Sequence, residues 1–310
     1  MPQFILGNSF KKSADKYAIV RNGLWFFEAA IFRLLFTILS ILPPESASRL
    51  GQKVAMKIGP RLKKNKTFRR NIERAFPDIT PAEQASILRS IWANVGAILG
   101  EFPHLRSICY DENNPRLTIV AAEEVRALQK TGRPLIIACA HLSNWEVIGA
   151  ALSRLGIPCA VPYTPIGNPW LNRMISRYRE ALGVRLFARQ DSMRPMMQHI
   201  AAGNSLAFVM DQRVDNGQPV DFFGMPKMTT VVPAKLALRY DTCVIPVRVL
   251  RLGTARYQVN FYPPALPDNP DVSEADKTLQ ITANINRHFE QWVREQPGEW
   301  FPSKRRWDKI

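Results

Sequence analysis

The stretch PLIIACAHLSNWE, residues 134–146, decides the fold of this chain. Its run LIIACA, from Leu135 to Ala140, is too short to cross a membrane and has the length and composition of a buried strand. Helical periodicity precedes the run from Ala121 to Lys130 and resumes from Asn144 to Leu155. A buried strand between two helices is the repeating unit of an α/β sheet.

The same alternation continues toward the C-terminus. The periodicity predicts strands at residues 158–161, 184–187, 205–210, 243–250 and 257–262. It predicts helices at residues 169–182, 192–202, 229–239 and 274–295. Strands interleaved with helices at this spacing predict an α/β fold, with a mainly parallel sheet covered by helices on both faces.

Residues 24–42, LWFFEAAIFRLLFTILSIL, have nearly the length of a membrane span, but Glu28 and Arg33 interrupt them. The apolar residues contribute roughly −4 to −7 kcal/mol to the free energy of membrane insertion, whereas two charges near the helix centre cost about 5 to 7 kcal/mol. Basic residues flank both sides of the run, so they give no orientation. We therefore expect residues 1–43 to form a membrane-associated helix lying in or dipping into the cytoplasmic leaflet, followed by one large domain at 44–310. A buried helix of a soluble protein is the alternative.

The chain of 310 residues has 42 Lys and Arg against 26 Asp and Glu, and this formal charge of +16 favours an anionic partner. Nine basic residues between Lys53 and Arg74 follow the apolar helix directly, which favours a membrane surface over a merely solvated basic face. No helix-turn-helix, zinc-finger or RNA-binding signature is present, so nucleic acid is not the expected partner. The four cysteines lie far apart, which indicates a reducing compartment and no structural zinc.

His141 follows the buried strand directly, and ligands of open α/β sheets gather at the carboxyl ends of strands. With Asn144 as N-cap, Glu146 falls in the first turn of the next helix and faces back toward the strand end. Its carboxylate is expected to accept a hydrogen bond from one imidazole nitrogen while the other takes a proton from a hydroxyl. A structural histidine is the alternative. This strand-end placement is lacking at the other three histidines, His104, His199 and His288.

The sequence lacks the motifs of several other enzyme classes. It contains no GxSxG elbow, no HExxH, no Walker A sequence and no GxGxxG. These absences argue against an acyl-enzyme intermediate, a catalytic metal and a nucleotide cofactor. A histidine base that acts directly on an acceptor hydroxyl, with an activated acyl thioester as donor, requires none of them.

The ordered set of motifs resembles that of the bacterial lipid A late acyltransferases, the lauroyl and myristoyl transferases of the lysophospholipid acyltransferase superfamily. The resemblance extends from roughly Leu24 to Trp307 and centres on His141, four residues, and Glu146. In the terminal Trp-x-x-His-Arg-Arg of the family, Lys304 stands in place of the histidine. The other segments that carry the resemblance are Asn168-Pro169, Arg177-Tyr178-Arg179, Met210-Asp211-Gln212, Phe222-Phe223-Gly224 with Thr229 and Thr230, and Trp300 to Trp307.

The resemblance implies a glycerol-3-phosphate acyltransferase-like fold, with residues 44–310 as the catalytic domain and with no cofactor or metal. It implies transfer of a fatty acyl chain from acyl carrier protein to a hydroxyl of a lipid A precursor. This step of lipopolysaccharide biosynthesis would take place at the cytoplasmic face of the bacterial inner membrane. The acidic carrier protein and the phosphorylated glycolipid both suit the positive charge of the chain.

By the resemblance, Arg177 and Asp211 join His141 and Glu146 as site residues. Arg177 is expected to bind a phosphate or carboxylate through two hydrogen bonds. Asp211 is expected to orient Arg177 or the acceptor. The alternatives are a structural ion pair of Arg177 with a neighbouring carboxylate, and a plain turn residue at position 211.

Arg179 and Arg189 are further candidates for the same anion site. Trp300 and Trp307 are expected to pack, or to lie at the membrane interface, rather than to bind substrate. Three alternative functions stay open. An acyltransferase acting on a phospholipid, a mannosylated inositol lipid or an aminolipid would share the fold and the His-Glu pair. A nucleic-acid-binding protein would explain the charge, and a non-catalytic membrane scaffold would not require Glu146.

Overall fold

The computed structural model describes residues 17–188 and 193–307. Thr80 begins the fourth helix with a capping box: its hydroxyl accepts from the Glu83 N–H at 3.2 Å, and the Glu83 carboxylate accepts from the Thr80 N–H at 2.8 Å. The first four helices are α1 (Ala18–Ile41), α2 (Pro44–Ile58), α3 (Lys63–Ala75) and α4 (Pro81–Glu101).

Helices and strands alternate along the rest of the chain, as the periodicity predicts. The helices are α5 (Leu105–Tyr110), α6 (Glu123–Lys130), α7 (Val147–Arg154), α8 (Pro169–Glu180), α9 (Met193–Ala201), α10 (Val232–Arg239) and α11 (Glu274–Glu295). The strands are β1 (Leu117–Ala121), β2 (Ile136–Cys139), β3 (Cys159–Tyr163), β4 (Val184–Ala188), β5 (Ser205–Val209), β6 (Gln218–Phe222), β7 (Met225–Thr229), β8 (Val244–Gly253) and β9 (Arg256–Phe261).

Seven strands form one sheet in the order β1-β9-β8-β2-β5-β3-β4. Strands β8, β2, β5, β3 and β4 are mutually parallel. Strand β9 is antiparallel to β8, and β1 is parallel to β9. The predicted, mainly parallel sheet is confirmed. The periodicity does not indicate β1 or the separate β6–β7 hairpin. Only one residue of β1 is fully buried, and Pro219 and Pro226 weaken the strand pattern of the hairpin.

The central strand β2 explains why helices cover both faces of the sheet. All four of its residues are buried. Ile136 and Ala138 pack into one apolar cluster with α3, α4, α9, α10 and α11. Ile137 and Cys139 pack into a second cluster with α1, α5, α6 and α7. Because successive side chains of a strand point to opposite faces, this run of apolar residues requires a helical layer on each side.

The sheet separates between β3 and β5. These strands pair only at Cys159 with Ser205 and at Ala160 with Leu206. Pro162, two residues further along β3, has no N–H to donate to a ladder. The carboxyl-terminal halves of β3 and β5 therefore leave a gap between them, on the same edge as the end of β2.

One face of α1 packs against the rest of the protein. Asn168 donates from Nδ2 to the Trp25 carbonyl at 2.8 Å and to the Glu28 carboxylate at 2.9 Å. Toward the other end of the helix, Nε2 of His104 lies 2.9 Å from the Leu39 carbonyl oxygen. These contacts dock about 21 Å of helix, at 1.5 Å per residue. Glu28, which interrupts the apolar run in the sequence, is thus buried against protein.

The opposite face of α1 is apolar and exposed. Among the described residues one helix, α1, has the length and composition to cross a membrane, and 17% of its most apolar window is buried. The second helix, α2, also exposes apolar residues at a spacing of four. Exposed apolar side chains in this number mark a membrane or protein contact. These side chains are Phe26, Phe27, Ile31, Leu34, Leu35, Ile38 and Ile41 of α1 with Leu50, Val54 and Ile58 of α2.

Candidate active site

His141 lies just beyond the carboxyl end of β2, on a loop with a constrained backbone. The Leu142 N–H donates to the Ala140 carbonyl at 2.7 Å, and the buried Ser143 has a φ of 52°. This left-handed conformation is uncommon for residues other than glycine, so surrounding contacts must stabilise it. The imidazole is 18% exposed, which leaves it accessible from one side.

Asp211 supplies the carboxylate that contacts His141. Its Oδ1 lies 2.6 Å from Nδ1 of the imidazole and accepts from the His141 backbone N–H at 3.1 Å. Asp211 follows β5, and β5 pairs in parallel with β2, so the ends of both strands meet at one edge. Because an ionised carboxylate only accepts hydrogen bonds, Nδ1 carries the proton and Nε2 carries the lone pair.

Glu146 does not contact the imidazole as predicted; it pairs with Arg179. Arg179 of α8 donates from Nε to Oε2 at 2.8 Å and from Nη2 to Oε1 at 2.6 Å, a two-bond ion pair. The predicted hydrogen bond between His141 and Glu146 is therefore wrong. Asn144 does not cap the helix, because its side chain donates to Glu101 at 3.0 Å. Since α7 begins only at Val147, Glu146 precedes the helix and its carboxylate reaches α8 instead.

The two carboxylates have different electrostatic surroundings. Burial alone would raise the pKa of the Asp211 carboxyl, but hydrogen bonds and charge from His141 and a hydrogen bond from Trp300 hold that pKa below its ordinary value. Burial alone would lower the pKa of Arg179, but the charge and hydrogen bonds of Glu146 raise it. Asp211 is therefore ionised near neutral pH, and Arg179 is a permanent cation at the wall of the site.

A cavity of about 630 Å³ opens beside His141, a volume typical of small-molecule sites. It fills the gap where β3 and β5 separate, and it continues toward α7. Its polar end contains His141, Glu146, Arg179, Gln212, Arg213 and Lys304. Its apolar walls include Ile148, Leu152, Val161, Val184, Leu186 and Ala207. The arrangement suits a ligand with one reactive polar end and one apolar chain.

A buried polar network supports the loop that contains His141 from behind. The Glu101 carboxylate is completely buried and accepts hydrogen bonds from Ser48 Oγ at 2.7 Å and from Asn144 Nδ2 at 3.0 Å. It also accepts from Arg251 Nη1 at 2.6 Å and from the Tyr257 hydroxyl. Burial and the Glu101 charge hold the pKa of Tyr257 well above its ordinary value, so the phenol stays a donor. The network thus holds the side chain of Asn144, three positions after His141, in place.

The other predicted site residues have different positions. Arg179 lines the cavity, whereas Arg177 is exposed on α8 and is not among the lining residues. Arg189 lies outside the described residues. Trp300 and Trp307 are both buried, so the predicted packing role fits and an interfacial position does not.

Two groups near the imidazole had no hydrogen-bonding role assigned from the sequence, although both lie in segments that carry the resemblance. Gln212 Nε2 lies 3.4 Å from each ring nitrogen of His141 and 3.3 Å from Ser303 Oγ. The Trp300 indole N–H donates to Asp211 Oδ2 at 2.9 Å. A tryptophan near the C-terminus gives no signal of this contact in the sequence, because it depends on where the last segment folds back.

The chain is similar in sequence to known proteins over nearly its whole length. A family model described as bacterial lipid A biosynthesis acyltransferase matches residues 11–309. A lipid A biosynthesis acyltransferase of Haemophilus influenzae is 24% identical over 87% of this chain and 85% of the relative. A lipid A biosynthesis myristoyltransferase of Escherichia coli is 23% identical over 90% and 84%. A phosphatidylinositol mannoside acyltransferase of Mycolicibacterium smegmatis is 24% identical over 75% and 78%.

The class follows from the family match, the relatives and a site with one histidine at the end of an apolar cavity: the protein is an acyltransferase. The chain belongs to the bacterial lipid A biosynthesis acyltransferase family. Acyltransferase activity is confirmed, and so is the resemblance to this family.

Proposed function

We propose that the protein transfers a fatty acyl chain from an acyl carrier protein thioester to a hydroxyl of a lipid A precursor, at the cytoplasmic face of the bacterial inner membrane. The observation that carries the proposal is the imidazole, backed by a buried carboxylate, at the polar end of an apolar cavity. A fatty acyl thioester has the matching shape, with a reactive carbonyl at one end of an apolar chain.

The proposed chemistry uses His141 as a general base. Nε2 takes the proton of the acceptor hydroxyl while the hydroxyl oxygen attacks the thioester carbonyl carbon. The tetrahedral intermediate collapses, the C–S bond breaks, and the electron pair leaves with sulfur. The imidazolium returns its proton to the thiolate, so His141 ends neutral. Asp211 accepts from Nδ1 throughout and stabilises the positive charge that develops on the ring.

We assign Gln212 and Arg179 to the substrate. The Gln212 amide is close to the imidazole and donates to the carbonyl oxygen as negative charge develops there. Arg179 uses Nε and Nη2 for Glu146, and Nη1 is assigned to an anionic group of donor or acceptor. The catalytic role predicted for Glu146 thereby becomes one of holding Arg179, and Arg177 is left as an exposed candidate for an outer phosphate.

Membrane association rests on α1. The helix is docked on protein from Trp25 to Leu39, and its other face is exposed and apolar. If α1 crossed the bilayer, the domain attached along about 21 Å of it would have to lie in the hydrocarbon core as well. A helix lying in the plane of one leaflet avoids this, so we assign α1 that orientation.

A second acceptor class has its own support. The relative from Mycolicibacterium smegmatis is named for a mannosylated inositol phospholipid, and it covers three quarters of this chain. That acceptor shares hydroxyl groups and a phosphate with a lipid A precursor. Parallel assays with the two acceptors, read by mass spectrometry of the lipid products, decide between them.

The central test is transfer by purified protein in mixed micelles, with acyl carrier protein thioester and lipid A precursor. His141→Ala should abolish transfer without loss of thermal stability. The matched control is His288→Ala, because His288 is also partly buried but packs against Trp292 away from the cavity. Full transfer by His141→Ala, or an acyl group left on the protein after incubation with donor alone, would overturn the mechanism.

A further inference from the structure

The C-terminal segment after α11 folds back onto the loop that follows β2. This loop contains His141, Leu142 and Ser143, and under the proposed function it is the catalytic loop. The Ser143 N–H donates to the Glu299 carbonyl at 3.0 Å, and the Phe301 N–H donates to the His141 carbonyl at 2.8 Å. Leu142 and Trp300 face each other in an antiparallel bridge between these two bonds. The segment thus pairs with the loop through its backbone on both sides of Trp300.

The Trp300 side chain donates a hydrogen bond to the carboxylate oxygen of Asp211 that His141 does not contact. Its indole N–H donates to Oδ2 at 2.9 Å, while Oδ1 accepts from the His141 ring and backbone. Trp300 is 1% exposed and Asp211 is 2% exposed, so water does not replace the indole as a donor. A buried carboxylate oxygen without a donor is strongly unfavourable, and a carboxylate held by one oxygen is free to rotate.

The segment itself is held at its far end. Asn71 of α3 donates from Nδ2 to the Pro302 carbonyl at 2.9 Å and to the Lys304 carbonyl at 2.8 Å, and its Oδ1 accepts from the Arg306 N–H at 3.1 Å. The buried Arg306 side chain donates from Nη2 to Thr229 Oγ1 at 2.9 Å. Residues 297–307 are therefore fixed between α3, the β6–β7 hairpin and the catalytic loop.

We infer that Trp300 is a positioning residue for the transfer reaction, which holds Asp211 through its indole N–H so that Oδ1 stays aligned with His141. The stretch from Glu299 to Phe301, which contacts the His141 loop and Asp211, is then a required part of the active site rather than a packed terminus. The inference rests on the proposed function, in which Asp211 stabilises the imidazolium. It explains why a segment some ninety positions from Asp211 ends in buried aromatic residues beside it.

The test removes the indole N–H group of Trp300 while the ring keeps its place in the protein. Replacing Trp300 by 3-benzothienylalanine, which has sulfur in place of the indole N–H, keeps the ring shape. Loss of a hydrogen bond to a charged group is expected to lower kcat by about tenfold to a hundredfold, with KM nearly unchanged. The matched control is the same replacement at Trp307, which is equally buried, stacks on Phe222, and has an indole N–H with no partner among the described residues. That control should keep the wild-type rate.

A double-mutant cycle shows whether Trp300 acts through Asp211. In an Asp211→Asn background the replacement at position 300 should cause no further loss of kcat, because the charge that it orients is gone. Losses that multiply, or equal rates for the two replaced tryptophans, would overturn the inference while leaving the proposed function intact. If Asp211→Asn itself transfers at the wild-type rate, the proposed mechanism fails and the inference fails with it.

Discussion

At the scale of single residues, the site contains two carboxylates, Asp211 and Glu146, with different partners. Asp211 is buried, is held ionised and contacts the imidazole, whereas Glu146 is neutralised by a two-bond pair with Arg179. Only the first can stabilise an imidazolium directly. The second contributes by fixing the position of a cation in the cavity wall.

Conservative amide substitutions should separate these two roles. Asp211→Asn is expected to lower kcat by about 10²- to 10⁴-fold with little change in KM, since the amide does not stabilise the charged ring. Glu146→Gln should instead raise KM more than it lowers kcat, because Arg179 loses its anchor.

Steady-state kinetics at a fixed pH measures both effects, with the thermal midpoint of each variant as the control for folding. The assignment is contradicted if Glu146→Gln loses more kcat than Asp211→Asn does.

At the scale of elements, the separation of β3 from β5 creates the cavity, and α7 forms part of its wall. Leu152 of α7 is fully buried and lines the cavity, as do Val184 of β4 and Ala207 of β5. The depth of the cavity is therefore set by side chains from three elements that are far apart in the sequence. We expect such a site to select acyl chains by length, because each methylene that is buried contributes about 0.8 kcal/mol.

Leu152→Ala should deepen the cavity and shift preference toward longer acyl chains, by roughly fourfold for each methylene gained. Competition between thioesters of different chain length, read by mass spectrometry, measures the shift. Leu135→Ala is the matched control, because Leu135 belongs to the same apolar cluster and is equally buried but does not line the cavity. Both variants should lose about 2 to 5 kcal/mol of stability. The same shift in both variants would argue against Leu152 as a length determinant.

At the scale of the whole molecule, one face of α1 packs against the rest of the protein and its opposite face is apolar and exposed. Its buried face carries Glu28, whereas Phe27 and Leu34 lie on the face that is exposed. Of the two charges that make a membrane span unfavourable in the sequence, Glu28 is thus turned toward protein, whereas Arg33 is exposed. This arrangement is compatible with a helix that lies half in lipid and half against its own domain.

Charges on the exposed face should release the protein from lipid. Phe27→Glu with Leu34→Glu is expected to abolish flotation with anionic vesicles, since a carboxylate in the apolar layer costs a few kcal/mol. The control pair is Leu252→Glu with Leu266→Glu, at 61% and 60% exposed, close to the 67% and 62% of the first pair. The control protein should still float. Equal flotation of the two proteins would place the membrane contact elsewhere.

Local sequence patterns were sufficient for most of the fold. The apolar run of β2, the Thr80 cap and the alternation of helix and strand depend on neighbours within a few residues, so their positions follow from periodicity and capping chemistry. The β6–β7 hairpin has no such pattern, and α7 starts later than Asn144 suggests because that side chain is used by a distant buried carboxylate, Glu101.

The sequence by itself determined that His141 follows a buried strand of a mainly parallel sheet, but it pointed to Glu146 as the carboxylate that contacts the imidazole. Only the tertiary structure decided which carboxylate, because Asp211 is 70 positions away and reaches the imidazole through the pairing of β2 with β5. The same holds for Trp300, which is 89 positions from Asp211. Short-range spacing is encoded by the geometry of one helix or strand, whereas contacts between strand ends depend on the register and order of the whole sheet.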